Sequence, residues 1–168
     1  MAKTTLHRLL DAAAAATGTE VAWARLFFPY GPREHPDRLV PTVARSALAG
    51  VPAECTSGTQ RRDYVFVDDA AAAMAALVDS PLTGAVNIGS GAAIPVAELA
   101  EAVARAAGHP ELLRLGALAT PPGEPDELAA DVGRLLDAVG SVPSTPLEDG
   151  ARRTVDWWRA QPPAEAAR

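Results

Sequence analysis

The spacing of glycine and proline residues constrains this chain more than any other feature of its sequence. Fifteen prolines and thirteen glycines are spread over 168 residues, so regular elements are short. Between these breaks, segments with the apolar spacing of helices alternate with short, continuous apolar runs. Because such runs are typical of buried strands, the alternation predicts an α/β architecture with a mostly parallel sheet.

Five segments have the apolar spacing of helices. Three of them end just before a glycine, as helices commonly do, at Gly18, Gly50 and Gly108. Near the C-terminus, "STPLEDGARRTVDWW" offers Thr145 as an N-cap and Glu148 three residues later, which predicts a capping box. The other four helices are predicted over residues 3–17, 38–49, 70–78 and 96–107.

Two apolar runs predict strands that are covered on both faces. They are "EVAWARLFF", which begins at Glu20, and "GAVNIG", which begins at Gly84. A shorter strand is predicted from Tyr64 to Val67. Two buried strands do not make a stable doubly wound sheet, and the first helix has no capping residue ahead of it. The sequence therefore predicts a sheet that lacks some of its strands.

Composition excludes several classes of protein. The net charge is −6 and the arginines are dispersed, so a nucleic-acid partner is not expected. Neither a secretory signal nor a stretch long enough to span a membrane is present, which predicts a cytoplasmic protein without a membrane partner. The single Cys55 excludes an internal disulfide. The three histidines, His7, His35 and His109, share no ligand spacing with it, so no metal site is predicted.

Two motifs suggest chemistry but are better explained by folding. The loop "GSGAAI" at Gly89 lies between a strand and a helix, where a dinucleotide-binding turn belongs. However, Ile94 replaces its third glycine, which makes phosphate binding there an unfavoured interpretation. Asp68 and Asp69 resemble a catalytic carboxylate pair, yet their position before a helix favours one as N-cap and the other as partner of the helix dipole.

The segment "TQRRDYVFVDD" places two arginines at the start of a strand. Because side chains alternate along extended backbone, Arg61 and Arg62 are expected on opposite sides. A guanidinium beside a glycine turn suits a bidentate anion such as a diphosphate. A surface ion pair between Arg62 and Asp63 is an equally good interpretation of the residues alone.

Five stretches together resemble a known family. "ARLFFPYGP", "RLVP", "TQRRDYVFVDD", "VNIGSG" and "LEDGARRTVDWW" occur in this order and at similar separations in extended short-chain dehydrogenases/reductases. The chain is similar to the C-terminal part of their NAD-dependent epimerase/dehydratase group, which acts on nucleotide-diphosphate sugars. The resemblance, from Ala2 to Trp158, implies an incomplete Rossmann-like parallel sheet plus a small α/β substrate-binding lobe. It assigns residues 1–34 and 62–91 to the Rossmann remnant, 35–61 and 92–160 to the lobe, and 161–168 to a disordered tail.

The resemblance also implies a set of site residues. Lys3 matches the lysine of the catalytic Y-x-x-x-K pair, which hydrogen-bonds the nicotinamide ribose and whose tyrosine would lie before Met1. Phe27 matches a position that contacts the nicotinamide. Arg62 matches the arginine that binds the substrate diphosphate, whereas Pro121 replaces a second arginine found in relatives. The implied substrate-binding residues are Phe28, Leu39, Val40, Glu54, Cys55, Thr56 and Arg62, with Phe28 standing where many relatives have an asparagine.

The function implied by the resemblance is that of one part of an enzyme. The complete enzyme would use NAD or NADP for 4-keto reduction, epimerisation or dehydration of a nucleotide-linked sugar. This chain lacks the tyrosine and the glycine-rich loop, so we predict that it is inactive alone. The alternatives are a non-catalytic nucleotide-sugar-binding protein, a subunit completed by a second chain, and a truncated sequence. We expect a homodimer, or association with a missing N-terminal half, because Leu6, Leu9 and Leu10 would be exposed.

Overall fold

The computed structural model describes residues 2–141 and 144–162, which form a mixed α/β fold. The sequence predicts a disordered tail over residues 161–168, of which residues 163–168 lie outside the described residues. The helices are α1 (Ala2–Thr17), α2 (Leu39–Leu48), α3 (Val67–Val78), α4 (Val96–Ala107), α5 (Gly133–Val139) and α6 (Leu147–Arg159). The strands are β1 (Ala22–Leu26), β2 (Phe28–Tyr30), β3 (Ala53–Glu54), β4 (Arg61–Arg62), β5 (Tyr64–Phe66), β6 (Gly84–Ile88), β7 (Ile94–Pro95), β8 (Leu113–Arg114) and β9 (Glu127–Leu128).

Parallel pairing dominates the small sheets, as the alternation of helices and strands predicts. β1 pairs with β6 and β2 pairs with β5, both in parallel. A backbone hydrogen bond from Phe27 to the Ile88 carbonyl (3.0 Å) extends the first pair, and one from Phe28 to the Asp63 carbonyl (3.2 Å) extends the second. β3 pairs in parallel with β8, and β4 lies between antiparallel β7 and parallel β9. The chain between β1 and β2 therefore crosses from one pair to the other.

Strand β1 is less covered than its apolar sequence predicts. Ala22, Arg25 and Leu26 are exposed, whereas Val86 and Ile88 of its partner β6 are completely buried. Within residues 2–141 and 144–162, β1 has β6 as its one strand neighbour. The expectation that β1 is covered on both faces is therefore wrong for the described chain, in which three of its five residues are exposed and its second edge is also unpaired.

Helix α1 is the most exposed helix of the described chain. None of its described residues is buried, and Leu6 and Leu9 are 49% and 64% exposed. The imidazole of His7 stacks on the indole of Trp23, with 4.8 Å between ring centroids, which attaches the helix to β1. The expected exposure of Leu6 and Leu9 is therefore found, while Leu10 is half-buried.

Two apolar clusters form the core. The larger one joins α2, α4 and α6, and at its centre Val43, Leu99 and Val155 are completely buried. The smaller one packs α3 and α5 against β6, and it includes Leu135 of α5 and Val86 of β6. Complete burial of a valine or leucine side chain contributes about 1.5 to 3 kcal/mol, so these contacts hold the helices against the strands.

The start of α6 differs from its prediction. The helix begins after Pro146, and no side chain caps it. Instead of capping, the Thr145 hydroxyl and backbone amide donate to the two carboxylate oxygens of Asp69, over 2.9 and 2.6 Å. The predicted capping box is therefore wrong, because a charged acceptor from α3 engages the residue that would have served as the cap.

The two aspartates of α3 also differ from their prediction. The helix begins at Val67, so Asp68 and Asp69 lie within its first turn, and neither is the N-cap. Their negative charges there still favour the helix dipole. Asp68 pairs with Arg153, and Asp69 is buried. Both acids therefore join α3 to the segment around α6.

None of the helices in the described ranges has both the length and the apolar character needed to cross a bilayer.

Candidate functional site

One cavity brings together residues from distant parts of the chain. Its volume is about 540 Å³, and it lies between β2, the start of α2, the segment after β3, and β4. All seven residues that the resemblance assigns to substrate binding line it, namely Phe28, Leu39, Val40, Glu54, Cys55, Thr56 and Arg62. Lys3 and Phe27, which the resemblance assigns to the cofactor side, are not among its lining residues.

Sequence reasoning missed several residues of this cavity. Glu34 follows the "YGPR" turn, Gln60 precedes the two arginines, and Glu124 lies in a proline-rich loop far along the chain. The position of Gln60 two residues before Arg62 was a usable signal, because alternate side chains of an extended segment lie on the same side. No local pattern indicates Glu124, since its place in the cavity depends on the parallel pairing of β9 with β4.

Arg62 is the most buried charged residue of the cavity. It is 4% exposed, and its Nη2 atom lies 2.6 Å from Oε1 of Glu124. Its Nη1 atom donates to the carbonyls of Arg61 (2.7 Å) and Pro125 (2.9 Å). The guanidinium also lies 5.8 Å from the centre of the Phe28 ring, within the range of a cation–π contact. Arg62 is therefore held in one position before any ligand is considered.

The two arginines of β4 do face opposite sides, as the alternation predicts. Arg61 is exposed, and its Nε atom donates to Glu127 over 2.9 Å. The suggested surface pair between Arg62 and Asp63 is wrong, because Arg62 pairs with Glu124 and Asp63 points elsewhere. Extended backbone places consecutive side chains on opposite sides, so one residue cannot easily pair with the next.

Asp63 explains the glycine-rich loop after β6. Its carboxylate is completely buried and accepts hydrogen bonds from the amide and hydroxyl of Ser90 (both 2.7 Å) and from the amides of Gly91 (3.0 Å) and Ala130 (2.9 Å). A Cβ atom at Gly89 would lie 2.9 Å from the Asp63 carboxylate, which is too close. The loop therefore binds an anion of its own chain, and the amides that a phosphate would need are already engaged.

Glu34 is a half-buried acid beside the entrance to α2. Burial raises its pKa to about 7, although the Arg38 guanidinium and the Gly31 amide act to lower it. The nearest cationic atom, Nε of Arg38, is 3.7 Å from Oε1, which is longer than a hydrogen bond. Within the described ranges, the buried Oε2 atom has no hydrogen-bond partner. Glu34 therefore brings an incompletely satisfied acceptor to the cavity.

Three other ionisable groups of the cavity are neutral at physiological pH. Burial raises the pKa of Tyr30 and of Tyr64 to about 12 and also raises the pKa of the Cys55 thiol. A tyrosine with such a pKa is a poor general base at neutral pH. The cavity thus combines two arginines, several carboxylates and neutral polar groups, an arrangement suited to binding a polar ligand.

Two features of the described residues bear on cofactor binding. Lys3 is exposed on α1, and the amides of the loop at Gly89 are engaged by Asp63. No group of three or more His, Cys, Asp or Glu side chains within residues 2–141 and 144–162 is arranged to hold a metal ion. Of the cofactor contacts that the resemblance implies, this chain contributes two positions, Lys3 and Phe27.

Together, parallel strand pairs covered by helices and a polar cavity beside them define a Rossmann-like protein with a small-molecule site. The model of the NAD dependent epimerase/dehydratase family matches residues 1–89. The chain belongs to this family, which is part of the extended short-chain dehydrogenases/reductases.

Curated relatives and solved structures agree with this assignment. The chain is 30% identical over 139 residues to a dTDP-glucose 4,6-dehydratase of Xanthomonas campestris, covering 77% of this chain and 40% of the relative. It is 31% identical over 141 residues to the same enzyme of Salmonella typhimurium, covering 78% and 38% of the two chains. The structure of a UDP-glucose 4-epimerase of Thermotoga maritima with UDP-glucose is similar, with a TM-score of 0.85, 25% identity and coverage of 94% and 52%. The chain therefore spans about half the length of these proteins or less.

Proposed function

We propose that this chain is the C-terminal, substrate-binding part of an NAD(P)-dependent nucleotide-sugar epimerase, dehydratase or 4-ketoreductase. In this proposal the 540 Å³ cavity holds the nucleotide diphosphate. The observation that carries it is that seven residues matched one by one to substrate-binding positions, from separate stretches of the chain, line this single cavity.

Two arginines of the cavity support a diphosphate ligand, and they lie among the carboxylates of Glu34, Asp37, Glu54 and Glu124. Arg62 is buried and rigidly held, and Arg38 lies at the start of α2 on the same cavity. A buried guanidinium recognises a phosphate through two parallel hydrogen bonds, and each such charged bond contributes about 1.5 to 3 kcal/mol. Because Glu124 already occupies one side of Arg62, an incoming phosphate either displaces this carboxylate or binds the remaining donors.

The chemistry of the complete enzyme needs residues beyond those of this cavity. NAD or NADP would accept and return a hydride, and a tyrosine paired with Lys3 would move the proton. We assign the cofactor side to residues 1–34 and 62–91 and the substrate lobe to residues 35–61 and 92–160. The chain offers Lys3 and Phe27 to the cofactor, so we expect no turnover from these 168 residues alone.

A non-catalytic nucleotide-sugar-binding protein, or a subunit completed by a second chain, is the alternative. The exposed leucines of α1 and the unpaired edge of β1 in the described chain favour a subunit completed by a second chain. Another polypeptide could cover the leucines and pair with the free edge of the strand. That polypeptide would be a second copy or an N-terminal half, in a cytoplasmic setting.

Calorimetric titration of the purified chain with UDP and dTDP tests the proposal. We expect saturable binding of at least one of them, weakened by high salt because the contact is ionic. A variant in which Thr56 is replaced by tyrosine would fill the cavity without changing its charge and should abolish binding. Absence of binding by the folded wild-type chain, or equal binding by the filled variant, would reject the proposed function.

A further inference from the structure

Two hydrogen-bond acceptors of the cavity are buried without partners. They are Oε2 of Glu34 and Oε1 of Gln60, and neither has a hydrogen-bond partner in the part of the chain that the structure describes. A buried acceptor that is left unpaired destabilises the structure, because it has lost its contacts with water and gained none in return. Such a cost is commonly offset when a ligand supplies the missing donor, so these oxygens indicate which ligand group fits here.

Glu124 fixes which atom of Gln60 remains free. Nε2 of Gln60 donates to Oε2 of Glu124 over 3.5 Å, while Oε1 of the same carboxylate accepts from Arg62. Turning the Gln60 amide around would place its oxygen against the carboxylate and lose that contact. The orientation with the Gln60 oxygen unpaired is therefore the favoured one, and Glu124 organises both Gln60 and Arg62.

The cavity carries charges of both signs. Two arginines and four acids line it, namely Arg38, Arg62, Glu34, Asp37, Glu54 and Glu124. A cationic amine and a further anion would therefore each meet like charges as well as opposite ones. Hydroxyl groups carry no charge and donate to both a carboxylate and an amide oxygen.

We propose that Glu34 and Gln60 form a hydroxyl-recognising part of the cavity, which selects ligands with neighbouring hydroxyl groups beside the anion held near Arg62. The inference deepens the proposed function and rests on it. In a nucleotide-diphosphate sugar, neighbouring hydroxyls come from the ribose or from the hexose. Glu34 is thus a specificity-determining residue, and its substitution changes which ligands are preferred.

The experiment compares the affinities of UDP, 2′-deoxy-UDP and UDP-glucose for the wild-type chain and three variants. Glu34→Met keeps the approximate shape and removes both oxygens, whereas Glu34→Gln keeps one acceptor. Asp79→Asn is the control for charge, because this exposed acid at the end of α3 is not among the residues that line the cavity. Circular dichroism and thermal melting check that each variant is folded.

We expect the wild-type chain to prefer either UDP over 2′-deoxy-UDP or UDP-glucose over UDP, by at least about five-fold. Glu34→Met should reduce that ratio to about two-fold or less, Glu34→Gln should leave an intermediate ratio, and Asp79→Asn should leave it as in the wild type. If Glu34→Met reduces the preference for UDP over 2′-deoxy-UDP, the hydroxyls bound by Glu34 are those of the ribose. If it reduces the preference for UDP-glucose over UDP, they are those of the hexose.

Two results separate the failure of this inference from failure of the proposed function. If the wild-type chain binds these ligands and Glu34→Met changes neither ratio, the inference is wrong while the nucleotide site remains. If the folded wild-type chain binds none of the three ligands, the proposed function itself is wrong and the inference falls with it. Equal changes in Glu34→Met and Asp79→Asn would also overturn the inference, because the effect would then be one of net charge.

Discussion

Arg62 and Glu124 form an ion pair of 2.6 Å in which the arginine is almost completely buried. The two residues lie far apart in the sequence, and the pairing of β4 with β9 brings them together. Removing one partner of such a pair leaves an uncompensated charge in a poorly solvated place, which costs more than the pair contributes. This relationship makes Arg62 a structural residue as well as a candidate ligand for a diphosphate.

Replacing Glu124 separates these two roles. In Glu124→Gln the guanidinium keeps a hydrogen-bond acceptor but loses the competing negative charge. We therefore expect UDP to bind more tightly, by about three-fold or more. Calorimetric titration measures the change, and Glu127→Gln, which removes the acid paired with exposed Arg61, is the matched control. Weaker binding in Glu124→Gln would show that the carboxylate supports the ligand and does not compete with it.

Replacing Arg62 should weaken diphosphate binding much more than replacing Arg61. We expect a loss of about 1.5 to 3 kcal/mol for Arg62→Ala and less than about 0.5 kcal/mol for Arg61→Ala. Because Arg62 is buried, Arg62→Lys is included as a variant that keeps the positive charge and is less disruptive. Titration with UDP at equal fractions of folded protein decides the matter, and equal losses in both alanine variants would remove the assignment of Arg62.

The stability of the chain should depend on pH through the ionisation of Glu34. Its pKa in the folded chain, about 7, lies above the ordinary 4.5, so the folded state binds this proton more tightly than the unfolded state does. The corresponding stability is fully present below about pH 4.5 and is lost as the pH rises through about 7. Glu34→Gln has no carboxyl group to ionise, so its free energy of unfolding does not fall in this way. Relative to the wild type, it should therefore rise by about 1 to 3 kcal/mol between pH 5 and pH 8.

Urea unfolding at the two pH values measures this difference. Arg38, Arg62, Tyr64 and Glu124 face the same cavity, and their contributions are present in both proteins, so the comparison isolates Glu34. A difference between the two proteins that is the same at pH 5 and at pH 8 would contradict the expected titration.

Asp63 should be among the most sensitive positions of the fold. Asp63→Asn replaces one acceptor oxygen by a donor, which then faces amide groups that also donate. We expect a loss of about 2 to 4 kcal/mol in the free energy of unfolding. Asp68→Asn provides the comparison, because this acid forms an exposed pair with Arg153 and should cost about 1 kcal/mol or less. Denaturant unfolding measures both losses, and a loss in Asp68→Asn as large as that in Asp63→Asn would contradict the prediction.

The exposed leucines of α1 should drive association of the purified chain. Leu6 and Leu9 lie on a helix without a buried residue in its described part, and water is a poor environment for such a surface. Sedimentation equilibrium at several concentrations should show self-association that the double change Leu6→Gln and Leu9→Gln reduces. A monodisperse wild-type monomer would contradict the expectation. Val78→Gln is a suitable control, since this valine is exposed on α3.

The sequence was sufficient to predict the elements that depend on local periodicity. The helix of residues 96–107 has a clear apolar face and ends at Gly108, whose φ of 90° suits glycine. The predicted caps failed because Asp69 binds Thr145, a contact between residues distant in sequence. The seven residues that the resemblance assigns to substrate binding line one cavity, but the resemblance did not indicate Glu124, whose place there depends on strand register.

Arg62 and Asp63 are consecutive, yet they serve opposite sides of the molecule. The first is anchored in the cavity by Glu124, and the second holds the loop of residues 89–91 through three hydrogen bonds. A single planar peptide links them, so the backbone at this point is fixed from both of its sides. A backbone shift here would therefore disturb the cavity and the loop after β6 together.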